Sequence, residues 1–279
     1  MSGMVLDPGD RSLPTGFAPG VPAGRVVAPK DAATVMLVRD GSAGLEVFLQ
    51  KRVKGMAFAA GMTVFPGGGV DPRDADVSVS WHGPEPDWWA QRFGCTPETA
   101  RALVCAAVRE TFEESGVLLA GPDAATLVGD TGHYAAARAA LVARDLSLAE
   151  FLAGEDLVLR ADLLRPWSNW VTPEGEPRRY DTRFFLAAMP TGQQADGSTS
   201  EAVEAYWATP RQALADFADG RCHLLPPTRV TLEELAEHSG AGTALEAERT
   251  LAKIIPKLVQ RDGRWHVLLP GEPGFEEAK

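Results

Sequence analysis

The sequence predicts an α/β protein with a mixed sheet between helical layers. Three observations carry this. Short β-type runs alternate with helical stretches, but without the regular strand–helix–strand rhythm of an all-parallel sheet. Two such runs, Ala32–Val38 and Leu45–Leu49, flank Asp40-Gly41-Ser42-Ala43-Gly44, a hairpin signature. One long helical segment, expected from about Pro97 to Ser115, is apolar over Ala102–Val108 and ends in acid.

That segment organises the chain. Thr96-Pro97-Glu98 supplies an N-cap, a first-turn proline and an acid near the positive helix end. Gly116 gives a left-handed stop. Glu110, Glu113 and Glu114 are three and four residues apart and share a face. Each like-charged pair at that spacing costs roughly 0.2–0.5 kcal/mol, and a bound cation reverses the sign. Hard divalent ions such as Mg²⁺ take carboxylate oxygens together with substrate phosphates. An acidic run is more often a solvated face. Here the helix is otherwise apolar, and acid on a buried helix needs a partner.

Arg109-Glu110-x-x-Glu113-Glu114-x-Gly116-Val117 resembles the second half of the Nudix box, and Phe65-Pro66-Gly67-Gly68 resembles its glycine-rich start. The resemblance implies a Nudix-type α/β/α sandwich and divalent-metal-dependent hydrolysis of a nucleoside diphosphate derivative, with Mg²⁺ or Mn²⁺. The usual box is one compact loop–helix–loop, whereas here Gly69–Val108 separates the halves. The family also carries a Glu eight residues before the Arg, where this chain has Arg101. A split box is similar to the peroxisomal coenzyme A diphosphatase branch. Trp167–Pro173, Arg178–Thr182 and Phe184–Leu186 continue that likeness. Coenzyme A or acyl-CoA is then the expected substrate, with ADP-ribose, a dinucleotide such as NADH, or a non-catalytic nucleotide-binding module as alternatives.

By the same resemblance, Gly68 offers a main-chain carbonyl to the metal beside Glu110, Glu113 and Glu114, and Arg109 orients those carboxylates. Asp71 falls where many members carry an acid. Arg52 follows the hairpin within a basic cluster, and Arg178 and Arg179 carry guanidinium forks that match phosphate oxygens. These three and Phe65 are the substrate-binding candidates. Glu174, in the loop Thr172–Pro177, and Glu201 are candidates for an auxiliary base or ligand.

The remaining stretches complete the organisation. Residues 1–30, rich in Gly and Pro, read as a flexible arm, and 31–279 as a single domain. An insertion at about 71–95 carries Trp81, Trp88 and Trp89 and is expected to cap the site or form a subunit contact, with a homodimer in view. Ala135–Ala153 reads as one packing helix. Further helices are expected at Pro210–Asp219, Val230–Glu237 and Leu245–Ile255, with a closing hairpin from Leu258 to Leu269. A net charge of −11 argues against nucleic acid or anionic membrane as partner. Three cysteines without metal-ligand spacing, no membrane-length apolar run and no signal-peptide core lead to a cytoplasmic expectation.

Overall fold

The computed structural model describes residues 27–53, 59–174, 176–199, 202–261 and 264–278. The expected arm therefore lies almost wholly outside the described residues.

Strands β1 (Lys30–Gly41) and β2 (Gly44–Arg52) form the expected hairpin, with Gly41 paired to Gly44. Two short strands follow, β3 (Thr63–Val64) on β2 and β4 (Gly67–Gly69) on β1. After β5 (Trp81–His82) come helices α1 (Pro86–Phe93) and α2 (Pro97–Ser115), then β6 (Ala120–Gly121). Helices α3 (Ala135–Val142) and α4 (Leu148–Gly154) precede strands β7 (Val158–Arg160), β8 (Leu164–Val171), β9 (Tyr180–Ala188) and β10 (Ala202–Ala208). The chain closes with α5 (Pro210–Ala218), α6 (Pro226–Leu235), α7 (Ala241–Leu245), β11 (Lys253–Ile254), β12 (Lys257–Arg261) and β13 (Arg264–Leu268).

The main sheet runs β10-β2-β1-β9-β8-β11, with β1–β9 and β8–β11 parallel and the other pairs antiparallel. Strand β1 is buried on both faces, so it reads as a continuous apolar run. Val35 and Leu37 face one core with α1, α2 and α4; Met36 and Val38 face a second core with α5, α6 and α7. A mixed sheet between two helical layers is thus present, as expected.

Three expectations change. The single helix over Ala135–Ala153 is two. Arg144 takes a left-handed φ of 62°, and Ser147 then opens α4 through a reciprocal capping box with Glu150. The helix expected over Leu245–Ile255 is only the short α7 ending at Leu245, followed by irregular chain and β11. Pro226 and Pro227 start α6, four residues earlier than expected, because proline is pre-set for a first helical turn.

The inserted segment is packed through its tryptophans. Trp89 is fully buried, packed against Phe93 at 5.9 Å and Phe185 of β9 at 5.6 Å. Trp81 and Trp89 both donate their indole N–H to the Pro84 carbonyl, at 3.0 and 3.1 Å. The tryptophans thus anchor the segment to the first core.

Candidate active site

Helix α2 has the predicted ends. Thr96 accepts a hydrogen bond from the Thr99 amide, and Gly116 closes the helix at φ 72°. Everything from Ala102 to Arg109 is buried, so the acidic last turns are anchored by an apolar body.

Arg109 is the hub. Its side chain is 11% exposed, and its Nε and Nη2 each donate at 2.9 Å to the two carboxylate oxygens of Asp74. Its Nη1 donates to Glu110 at 2.8 Å and Glu113 at 3.2 Å, and Nη2 also reaches the Gly69 carbonyl at 3.0 Å. Asp74, 2% exposed, additionally accepts the Asp71 amide at 2.8 Å, within the short 3₁₀ turn Pro72–Ala75. Asp74 thus gives Arg109 a buried carboxylate partner. Arg101 itself lies over the Trp81 ring at 5.2 Å. Asp74 escaped the sequence reading because the acid was sought on α2, whereas it stands at the start of the insertion, close to the glycine run.

The glycines fit the acids. A Cβ on Gly68 would fall 2.5 Å from Glu110 Oε1, so only glycine admits that carboxylate beside the β4 backbone. The Gly67 amide donates to Glu114 Oε2 at 2.9 Å. Arg109 thus joins Glu110 and Glu113, Glu110 lies beside Gly68, and Glu114 is held by Gly67.

Electrostatically the site is short of positive charge. Three carboxylates contact one guanidinium. Burial pushes the Glu110 carboxyl up to about 7 against the pull of Arg109, and burial also raises Glu113. Among the described residues, no three acidic, histidine or cysteine side chains close on one metal-binding point. Arg109 occupies the space between Glu110 and Glu113, and Glu114 is turned to Gly67. The donor set still suits a hard divalent cation: it is all oxygen, largely desolvated and in excess over its arginine.

The other candidates fare unevenly. Phe65 is 3% exposed and belongs to the second core, in the same cluster as Trp167 and Leu224. Arg179 is buried, and its Nε and Nη1 donate to the carbonyls of Thr172 at 3.0 Å and Val27 at 2.9 Å. Those bonds tie the start of β9 to its neighbours and leave Arg179 poorly placed as a phosphate clamp. Arg178 is exposed, Arg52 is half-buried at the end of β2, and Glu174 is exposed in its loop. Glu201 lies outside the described residues.

The family profile described as NUDT19 Nudix domain matches residues 88–235, just over half of the chain. Over 280 residues the chain is 28% identical to the human acyl-coenzyme A diphosphatase NUDT19, covering 84% of this chain and 73% of that one. It is 30% identical over 200 residues to a Caenorhabditis elegans chain designated nudix hydrolase 7, covering 68% of this chain. That match spans 56% of the nematode protein's length. The crystal structure of a NUDIX hydrolase from Alicyclobacillus acidocaldarius superposes with a TM-score of 0.64 at 27% identity, over 80% of this chain and 98% of that one. Among the described residues no helix is long and apolar enough to cross a membrane. The chain belongs to the Nudix hydrolase family, in its NUDT19 branch.

Proposed function

We propose that this protein hydrolyses the diphosphate linkage of coenzyme A or an acyl-CoA, releasing 3′,5′-ADP and phosphopantetheine or its acyl form, with Mg²⁺ or Mn²⁺. The observation that carries the reading is the buried excess of carboxylate over guanidinium beside the Gly67-Gly68 backbone. Relatives named as acyl-coenzyme A diphosphatases support the substrate class.

Glu110, Glu113, Glu114 and the Gly68 carbonyl would hold the cation. When bound, a divalent cation neutralises diphosphate charge and lowers the pKa of a water to near neutral. In the hydrolysis a water oxygen would bond to one phosphorus as the bond from that phosphorus to the bridging oxygen breaks; the bridging oxygen would leave with the other phosphate and a water proton would be released, giving two monoester phosphates. The chain's own part is orientation. Asp74 fixes Arg109, Arg109 holds Glu110 and Glu113, and the Gly67 amide aims Glu114. Arg178 and Arg52 are the candidates for contacts to the outer phosphates, with Glu174 and Glu201 as auxiliary acids.

Comparing kcat/KM for coenzyme A, ADP-ribose and NADH on one preparation, with Mg²⁺ and with Mn²⁺, tests this. Preference for coenzyme A with the stated products is expected. Preference for ADP-ribose or NADH overturns the substrate, and binding without turnover of any of the three overturns the reaction.

A further inference from the structure

The end of α2 is an unfavourable place for acid. Glu113 and Glu114 sit at the negative end of the helix dipole, and the last turn contains no basic residue. The final carbonyls also lack intrahelical donors. The first of them is closed by the helix's own capping glycine, and the other three by more distant parts of the chain. The Gly116 amide takes Phe112 O at 2.9 Å. Arg138 Nε of α3 donates to Glu113 O at 3.0 Å. Gln50 Nε2 of β2, in a residue 2% exposed, donates to Glu114 O at 3.1 Å. The Asp196 amide donates to Ser115 O at 2.9 Å.

Arg138 and Asp196 are themselves joined, Nη1 lying 2.9 Å from both carboxylate oxygens. Gly116 makes room for this: a Cβ there would lie 2.9 Å from Arg138 Nη1 and 3.1 Å from Asp196 Oδ2. Arg138 Nη2 is meanwhile buried with no partner among the described residues. A guanidinium kept there purely for packing would be a poor choice, since an unpaired buried donor is costly.

We propose that Arg138 and Gln50 are positioning residues for the reaction. Each holds the main-chain carbonyl of a residue whose side chain carries one of the two terminal carboxylates. Together they fix the rotation and height of the last turn, and with it where Glu113 and Glu114 aim. Arg138 also brings to this helix end the positive charge that its own last turn lacks. The proposal rests on the metal-dependent reading of this site. Groups outside the ligand set that orient ligands typically contribute ten- to a hundred-fold in metal affinity or activity.

The test uses the full chain with Arg138→Met, Arg138→Lys and Gln50→Met, and Gln193→Leu as comparator. Gln193 clips Leu118 and Val128 through their backbones just past the helix and touches neither acidic residue. Two quantities are read: the Mn²⁺ dissociation constant without substrate, and kcat and KM on whichever diphosphate substrate the wild type cleaves. The two Met variants should weaken Mn²⁺ binding and lower kcat by about ten- to a hundred-fold, with KM within about twofold. Arg138→Lys should recover most of that loss, because an ammonium can still donate to Glu113 O. Gln193→Leu should lower thermal stability and leave Mn²⁺ affinity alone. Wild-type Mn²⁺ affinity and kcat in the Met variants overturn the proposal, as do equal losses in Gln193→Leu. If the Arg138 variants do not fold, Gln50→Met decides. A wild type that neither binds Mn²⁺ nor turns over any diphosphate refutes the metal-dependent reading itself, and this inference with it.

Discussion

Asp74 and Arg109, thirty-five positions apart, meet through two parallel hydrogen bonds of 2.9 Å in a buried site. This pair ties the insertion to the acidic helix: one partner lies near the start of the inserted segment and the other on α2. It also explains how a chain with Arg101 where an acid was expected still orients its arginine.

Asp74→Ala is therefore expected to cost on the order of 3 kcal/mol, the scale of breaking a buried charged pair. It should also lower kcat, because Arg109 would lose its fixed edge and with it the placement of Glu110 and Glu113. Asp74→Asn, which keeps an acceptor, should fall between. A urea midpoint at constant slope, together with steady-state kinetics, checks both effects. Wild-type values for Asp74→Ala would remove Asp74 from the site.

The insertion gives a second prediction. Trp89 is fully enclosed by Phe93, Phe185 and Trp88, whereas Trp88 is only half-buried. Truncating a buried aromatic typically costs 3–5 kcal/mol, so Trp89→Ala should destabilise by about that much. Trp88→Ala should cost clearly less. Equal denaturation midpoints for the two variants would contradict this packing.

Much of this was legible in the sequence, for identifiable reasons. The ends of α2 were written in Thr96, Pro97 and Gly116, whose capping chemistry is local. The same-face acids followed from helical spacing, and the hairpin from its turn. What escaped depends on contacts distant in sequence. Nothing near Arg179 announces that its guanidinium will be spent on the carbonyls of Thr172 and Val27. Nothing near Gln50, Arg138 or Asp196 marks them as partners of a helix end 64, 25 and 81 positions away. The break at Arg144 was hidden by alanine and leucine on both sides, which favour helix; the capping pair Ser147 and Glu150 was the available signal.

Arg179 and Arg178 now carry opposite expectations. Arg179→Ala should lower stability by about 1–2 kcal/mol through loss of its hydrogen bonds to two partly buried carbonyls, with KM little changed. Arg178→Ala, at an exposed position, should spare stability and raise KM if it meets a substrate phosphate. A large rise in KM for Arg179→Ala at unchanged stability would return that residue to the substrate site.

The thiols supply a pH prediction. Cys105 is fully buried in α2, and burial pushes its thiol up to about 12 from an ordinary 9.0. The folded state favours the protonated form, so this contribution is complete below pH 9. It is lost as pH rises from 9 towards 12, where the unfolded chain releases the proton first. Cys105→Ala should therefore flatten the loss of Tm over that window relative to wild type. At pH 8 without denaturant, a thiol reagent should reach the half-exposed Cys95 and leave Cys105 unmodified. Modification of Cys105 as fast as Cys95 would contradict its placement.

The acidic cluster is tested most directly by removing charge without removing shape. In Glu113→Gln and Glu114→Gln the amide oxygen can still accept from Arg109 or from the Gly67 amide, so the local hydrogen bonds survive. The fold should survive as well, because the substitution relieves repulsion among desolvated carboxylates. Glu110→Gln should go further and raise the metal-free Tm, since burial already disfavours that carboxylate's charged form. All three should lower kcat at least ~100-fold, the scale of losing one electrostatic or acid–base group. They should also lose the stabilisation that Mn²⁺ gives the wild type, about 2.7 kcal/mol when the ion is present at a hundred times its dissociation constant. Thermal melts with and without Mn²⁺, paired with turnover, read both effects on one sample. Full turnover in Glu113→Gln and Glu114→Gln would place the chemistry elsewhere in the molecule.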